Sequence, residues 1–565
     1  MALGNALQIG RSGLIASRTA IEVAGNNLTN IATRGYHRQS ISLAPVRDQQ
    51  FAQGIFIGRG VQVQQILRHV DEALEGRIRN GIADQAASAA KREILSQIEA
   101  LENEFSDIDL STHLSAFFNA WSELANNPDD NSLRSLVVHE GRSLAQFVQT
   151  LHGGLRDLRD QVDKGIDGAV TAADDLLLRI EHLNQQIMTQ DGGTGGAHAL
   201  RDERDLALAS LAEYLDISVV EQSSGAVDFF VGSLPVVLNA RSRGLDVQRD
   251  TINGQLQISV QITDDDSALN PTTGRIGALL AARDGDVSDA IDALNGFANE
   301  LIYQVNRVHS QGQGLQLHDS VTGGYRVADA TVALNDPAAG VAFDVNHGSF
   351  QVHLTQKSTG QRTTNTVAVD LDGIGSDTTL TDLAAAISAL PNLSGAITPD
   401  GRLQITPSGS DFAIGFSDDS SGALAALGIN TYFTGVDAND IAVDPLVDNL
   451  GFIATSQDHN PGDNANALAM SGLSTQPLAS LNNVSLTEQW SRHVEDFAVR
   501  LGASQAQLEA DAIVRENLEE QQQRISGVNA DEEAINLLTF QRSFQGSARY
   551  LQIVDELIET LLTLI

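Results

Sequence analysis

Residues 537–565 read LLTFQRSFQGSARYLQIVDELIETLLTLI. Alternate steps of three and four through this stretch meet Leu537, Phe540, Phe544, Ser547, Leu551, Val554, Ile558, Leu561 and Ile565. That is an a/d heptad stripe on one helix face. Chain ends ordinarily fray and turn polar, so an apolar seam running to residue 565 calls for a partner. The matching stripe stands in residues 3–31: Leu3, Leu7, Gly10, Leu14, Ser17, Ile21, Ala24, Leu28 and Ile31. Its small residues, Gly10, Ser17 and Ala24, permit close approach of a second helix. Charge favours pairing of the two ends. Residues 1–47 hold five Arg and one acid, Glu22, while residues 531–565 hold six acids and two Arg. Arg11 and Arg18 against Asp555 and Glu559 are the expected rim pairs, each contributing about 0–1 kcal/mol because they are exposed. An isolated two-helix pair is marginal in water. The pair is therefore expected to be an assembly tail completed by neighbouring subunits, the plainer alternative being two helices docked on the protein's own core.

A third stripe occupies the interior: Leu144, Val148, Leu151, Leu155, Leu158, Val162, Ile166, Ala169, Ala173, Leu176, Ile180, Leu183 and Ile187. It predicts a helix over about 130–190, opened by Asn127-Pro128-Asp129-Asp130 and closed by the glycine-rich run at 192–196. That run lacks the Lys-Ser/Thr of a phosphate loop and follows no strand, so it reads as a connection. Amphipathic stretches at 71–106, 111–126 and 197–214 complete a bundle. From Asp216 the pattern alternates: 217–220, a Ser223-Ser224-Gly225 turn and 227–231 predict a hairpin, with further strands at 236–238 and 256–260. Helical periodicity returns at 286–311 and again from Leu486 to about Arg524. Residues 316–455, rich in Gly, Ser, Thr and Asp, read as short strands with one brief helix near 380–390. The expected fold class is multidomain α+β. Paired terminal coiled-coil-like helices (1–32 and 533–565) flank an elongated helical-bundle domain with a β-hairpin region (33–315 and 456–532). A β-rich outer domain (316–455) is inserted within it.

Composition narrows the function. The 565 residues carry 35 Lys+Arg against 73 Asp+Glu, a formal net charge of −38. That field repels phosphate backbones and anionic lipid, which argues against nucleic-acid and membrane-surface roles. No cysteine is present, which excludes disulfides, a thiol nucleophile and thiolate-bound metal. No apolar run approaches the ~20 residues of a membrane span. The N-terminus lacks the charged and apolar regions of a signal peptide.

No catalytic constellation stands out in the sequence. His139-Glu140 begins like a zinc-protease helix, yet Ser143 stands where the second His belongs. Asp264-Asp265-Asp266 lacks the glycine and glutamate spacing of a calcium loop and reads as a solvated turn. Asp284, Asp286 and Asp289 precede an apolar helix and are expected to cap it. No enzyme activity, metal or cofactor is expected.

Several motifs resemble those of a known family. Ser12-Gly13-Leu14, Asn26-Asn27-Leu28-Thr29-Asn30 and Gly35-Tyr36-His37-Arg38-Gln39 resemble the opening shared by flagellar rod, hook and hook-associated proteins. Leu28 and Thr29 depart from the usual Asn-Asn-Ile-Ala-Asn core. GRGVQV at 58–63, LNQQI at 183–187, DERD at 202–205 and GRIGALL at 274–280 are similar to segments of the flagellar hook-associated protein 1 family. So are LGINTYFTG at 427–435 and SGVNADEE at 526–533; the resemblance is weakest across 316–400.

The resemblance implies a structural protein of the bacterial flagellum at the hook–filament junction, extracellular and exported unfolded by the flagellar type III apparatus. The partners it implies are copies of the chain in a ring-like zone, hook protein, hook-associated protein 3 as the second junction protein, and an export chaperone on the C-terminal region. Assembly residues are then Leu3, Leu7, Leu14, Ile21, Leu28 and Ile31 with Asn26, Asn27 and Asn30 on the N-terminal helix. On the C-terminal helix they are Leu537, Phe540, Phe544, Leu551, Val554, Ile558, Leu561 and Ile565. Two other readings remain: hook protein itself, or a secreted enzyme or adhesin whose activity lies in 316–455. The 526–533 motif and the long 130–190 helix argue against the first.

Overall fold

The computed structural model describes residues 2–52, 54–102, 109–191, 196–252, 255–460 and 462–563. Ile565 and the glycine-rich residues 192–195 lie outside the described residues. Twelve α-helices occur among the described residues. They are α1 Ala2–Thr29, α2 Glu72–Glu102, α3 Leu110–Asn126, α4 Asn131–Asp191, α5 His198–Ala212 and α6 Gly274–Ala281. The chain continues with α7 Ser288–Ser310, α8 Leu380–Ser388, α9 Ala423–Ala426, α10 Ala465–Gly472, α11 Leu486–Ser526 and α12 Ala530–Thr563. The strands form small sheets in which every described pairing is antiparallel. The fold is multidomain α+β.

Local chemistry explains the boundaries. Asp109 caps α3 by accepting from the Thr112 N–H at 2.6 Å, and Asp130 accepts from the Ser132 N–H at the start of α4. Along α4 the predicted stripe is buried from Leu144 to Ala173, but then Leu177 is buried and Leu176 only half-buried. The cause is periodic: a 3.6-residue helix drifts against a strict 3.5 repeat, and one extra step of four absorbs the drift. The expected caps of α7 are corrected. Residues Ala282–Val287 form a π-helical turn, α7 starts at Ser288, and its N-cap residue, Val287, makes no side-chain cap bond. Asp286 and Asp289 instead face Arg500.

The chain divides into two compact units. The first comprises Met1–Glu93, Gln161–Arg283 and Ala503–Ile565. In it α1 lies beside α12. Residues 39–68, unassigned from sequence, form two hairpins: β1 Gln39–Pro45 with β4 Val61–Arg68, and between them β2 Gln49–Ala52 with β3 Ile55–Ile57. The predicted 217–231 hairpin is present and extends to a four-stranded sheet ending at Ser242. Phe229, Val231, Val236 and Val237 of this sheet are buried, as are Leu208, Leu211 and Ile276 of the neighbouring helices in sequence. Asn184 of α4 is fully buried, donating to the Val227 carbonyl and accepting from the Val227 N–H. One buried side chain thus fixes the hairpin on the helix.

The second unit comprises Ile94–Asp160 and Asp284–Gly502. Its centre is an aromatic cluster in which Phe117 and Trp121 of α3 contact Tyr432, while Phe117 also meets Phe433. The Tyr432 hydroxyl donates to the Val137 carbonyl at 2.8 Å. Arg134 is completely buried, donating to the carbonyls of Pro128, Leu450 and Ile453 and to the Thr455 hydroxyl. The brief helix expected near 380–390 is α8, opened by a Thr379–Asp382 capping box.

Candidate assembly interface

The two terminal helices pair antiparallel. Gly10 of α1 faces Leu551 of α12, and Gly13 faces Ser547, so one helix number rises as the other falls. The buried face of α1 is built of small residues: Gly10, Ala16, Ser17, Ala20, Val23, Ala24 and Asn27. Small side chains bring the backbones together but bury little apolar area, at ~25 cal/mol per Å². The hairpin of β1 and β4 covers the rest of this face; Gly60, at φ +97°, sits against Ser12 and the Ile9 backbone.

The predicted residues fall in three groups. Val554 is buried, and Leu14, Ile21, Leu537, Phe540, Leu551 and Ile558 are half-buried in or beside the seam. Leu7, Leu28, Ile31, Phe544 and Leu561 are exposed. Leu3 lies in α1, and Ile565 lies outside the described residues. Ile31 follows the helix, which ends at Thr29. A second apolar face was not singled out from sequence. It includes Ile15 on α1 and Ile535, Leu538, Ile553 and Leu557 on α12, all exposed. An amphipathic helix would bury one face and charge the other. α12 carries apolar side chains on both.

The asparagine motif is engaged within the chain. Asn27 is completely buried; its Nδ2 donates to the Gln39 carbonyl, and its Oδ1 accepts from the Gln39 N–H and the Tyr36 hydroxyl. Asn26 donates to the same hydroxyl at 3.2 Å, and Asn30 donates back to Asn26. These residues turn the chain out of α1 and hold β1 against it.

The expected rim pairs are corrected: among the described residues no ion pair joins Arg11 or Arg18 to Asp555 or Glu559. Arg18 pairs with Glu22 one turn along its own helix, at 2.9 Å. The charge link between the ends is made by Arg38, whose guanidinium reaches Glu533 at 2.8 Å and Glu532 at 3.3 Å. Those acids sit in the first turn of α12, where the helix dipole favours negative charge. The Arg38 N–H also donates to the Ser526 carbonyl, at the break between α11 and α12. Gly527 serves that break, because a Cβ there would meet the Gln523 carbonyl oxygen at 2.2 Å.

Behind this link lies a buried charged hub. His37 Nδ1 contacts Asp202 at 2.7 Å, and its Nε2 stands 3.6 Å from Glu75. Arg68 bridges Asp202 and Asp205, and Gln522 donates to Glu75. Burial opposes charge on His37, but its hydrogen bonds to Asp202 and Glu75 outweigh that and hold the ring up to about 9. His37 is therefore a cation at neutral pH, and Glu75 is held below the usual carboxylate range despite its burial. His37, Asp202 and Asp205 have metal-ligand spacing, yet Arg68 already bridges both carboxylates and, together with the His37 cation, balances their charge. The hub is a salt-bridge network. A second His-Asp-Asp group, His347, Asp370 and Asp372, is exposed, and its His347 Nδ1 accepts from the Leu371 N–H.

Asp264 and Asp265 pair with Arg243 at a turn, and Asp266 there takes a left-handed conformation. No helix among the described residues is long and apolar enough to cross a membrane.

Comparison with known proteins gives matches along the chain. Residues 95–323 match the flagellar hook-associated protein FlgK helical domain. Residues 7–37 match the flagella basal body rod protein family, and 521–564 match the flagellar basal body rod FlgEFG protein C-terminal region. Flagellar hook-associated protein 1 of Escherichia coli is 25% identical over 579 aligned residues, spanning 98% of each chain. Its namesake in Salmonella typhimurium is 26% identical over 575, again 98% of each. That of Bacillus subtilis is 30% identical over 228 residues, 39% of this chain and 44% of its own. The solved flagellar hook junction protein FlgK from Burkholderia pseudomallei shares the fold with a TM-score of 0.50 at 16% identity, covering 80% of this chain and 100% of its own. Over nearly its whole length the chain is similar to flagellar hook-associated protein 1, and its residues 95–323 match that family's helical domain.

Proposed function

We propose that this chain is a structural adaptor of the bacterial flagellum, joining hook to filament and required for filament assembly on the hook. The observation that carries the reading is the α1–α12 pair: its seam is closed within the chain, while α12 keeps a second apolar face exposed. An exposed apolar face of this kind marks an interaction site for a neighbour. Near-full-length similarity to relatives named for the hook supports the same role.

On this reading, residues 1–32 and 533–565 are the assembly domain. Residues 33–315 and 456–532 form the bundle domain, and 316–455 an outer domain. Copies of the chain form a ring-like zone between hook protein on one side and hook-associated protein 3 on the other. An export chaperone covers the C-terminal stripe before assembly, and the chain leaves the cell through the flagellar type III apparatus without a cleaved signal. The role is structural, with no catalytic step and no cofactor.

Immunogold electron microscopy of isolated flagella, with antibody against residues 316–455, tests this. A narrow band at the hook–filament boundary is the expected result. Label along the whole hook would make the chain a hook protein, and absence of label would overturn the assembly reading.

A further inference from the structure

A cavity of about 520 Å³ lies within the first unit, walled by the 30–37 turn, α2, α5 and the end of α11. Arg79 of α2 lines it and is 7% exposed. Among the described residues its guanidinium has no hydrogen-bond acceptor and no carboxylate within ion-pair distance. The acids of the wall reach it only through space: its charge helps to hold Glu75 low, but none forms an ion pair with it. Glu75 is held by His37 and Gln522, Asp205 by Arg68, and Glu519 by Arg515 at 3.3 Å. Glu213, the other acid on the wall, makes no ion pair with Arg79 either.

A guanidinium keeps its charge, and the buried Nε–H of Arg79 is left without an acceptor, which is unfavourable. Its planar fork matches two coplanar oxygens. We propose that this cavity is a carboxylate-binding site in which Arg79 takes both oxygens of the ligand. A singly charged carboxylate balances one cation, whereas a doubly charged phosphate would meet repulsion from Glu75, Glu213 and Glu519. The carboxylate has two sources with one chemistry: a free small acid, or an Asp or Glu side chain of a second copy. The chain carries 73 such residues. The second source rests on the assembly role proposed above; the site itself does not.

The test is thermal melting of the full-length chain in sodium acetate against sodium chloride of equal ionic strength. Acetate should raise the Tm of the wild type by about 2 °C beyond chloride at roughly ten times its Kd. Arg79→Met should lose this rise, and Arg79→Lys should lose most of it, because an ammonium lacks the fork. An equal rise in folded Arg79→Met, no rise in wild type, or a larger rise with phosphate would overturn the proposal. Should Arg79→Met not fold, a full acetate response in Arg79→Lys would overturn it instead. A photo-crosslinking residue at Ser210, on the cavity wall, separates the sources in flagellated cells. An adduct to an acidic segment of a second copy assigns the side chain. Adducts within one copy, with the acetate response intact, assign the free acid. The melting experiment is independent of where the protein resides, so its failure would leave the junction role standing.

Discussion

Gly10 and Leu551 approach so closely that a Cβ added to Gly10 would lie 2.6 Å from both Cγ and Cδ2 of the leucine. The contact sets the spacing of the terminal pair. Gly10→Val would force Leu551 out of its position and should cost the pair on the order of 1–3 kcal/mol. Hydrogen exchange of residues 2–29 and 530–563 should accelerate, while α3 in the second unit stays protected.

Leu551→Asp acts on the same contact by charge. A carboxylate on the half-buried seam loses solvation without gaining a partner. The middle of the chain should remain folded, with unchanged tryptophan fluorescence from Trp121 and Trp490, yet no junction should form in cells producing only this variant. Normal filament growth would contradict the role assigned to the pair.

His37 makes the first unit sensitive to base. Its folded-state value of about 9 lies above the ordinary 6.5, so the charged ring stabilises the fold. The contribution is fully present below about pH 6.5 and is lost as pH rises through 9. It amounts to at most about 3 kcal/mol. Hydrogen exchange in β1, corrected for intrinsic rates, should show that loss in the wild type and a flat response in His37→Gln.

His309 makes the second unit sensitive to acid. It is completely buried; its Nδ1 donates to the Asn430 carbonyl, and its Nε2 accepts from the Ala454 N–H. Burial pushes the ring down to about 4 despite the bond to Asn430. A depressed value places its stabilisation above pH 6.5, and that stabilisation fades as pH falls toward 4. His318 is also lowered by burial, and His353 is lowered to about 4, so both add to the effect. Fluorescence of Trp121, whose ring centre lies 6.3 Å from that of His309, should report acid unfolding. The transition should move to lower pH in a folded His309→Gln variant.

Long helices were legible because their periodicity persists: α3 begins one residue from its expected start, and α4 spans Asn131–Asp191 against an expected 130–190. Residues 39–68 escaped although Ser40–Leu43 and Val61–Gln64 alternate, because the alternating runs are short and their pairing depends on Asn27 reaching Gln39. The Arg11 and Arg18 rim pairs failed because net charge ignores the nearest partner, which for Arg18 is Glu22. The π-helical turn at Ala282–Val287 hid the true start of α7. Arg38, His37 and Arg79 could not be recognised as a link, a hub and a cavity wall, since each role depends on residues far away in sequence. Glu533, for example, meets Arg38 only in the folded chain.

The partner of α1 is made hundreds of residues after it. A ribosome adding about 5–20 residues per second needs roughly half a minute to two minutes between Gly10 and Leu551. Throughout that interval the first helix has no mate, and the first unit, drawn from three separated stretches, stays unfinished. The fold therefore carries its own proof of completeness: a chain cut short anywhere before α12 leaves an open seam, which a protease or chaperone can recognise.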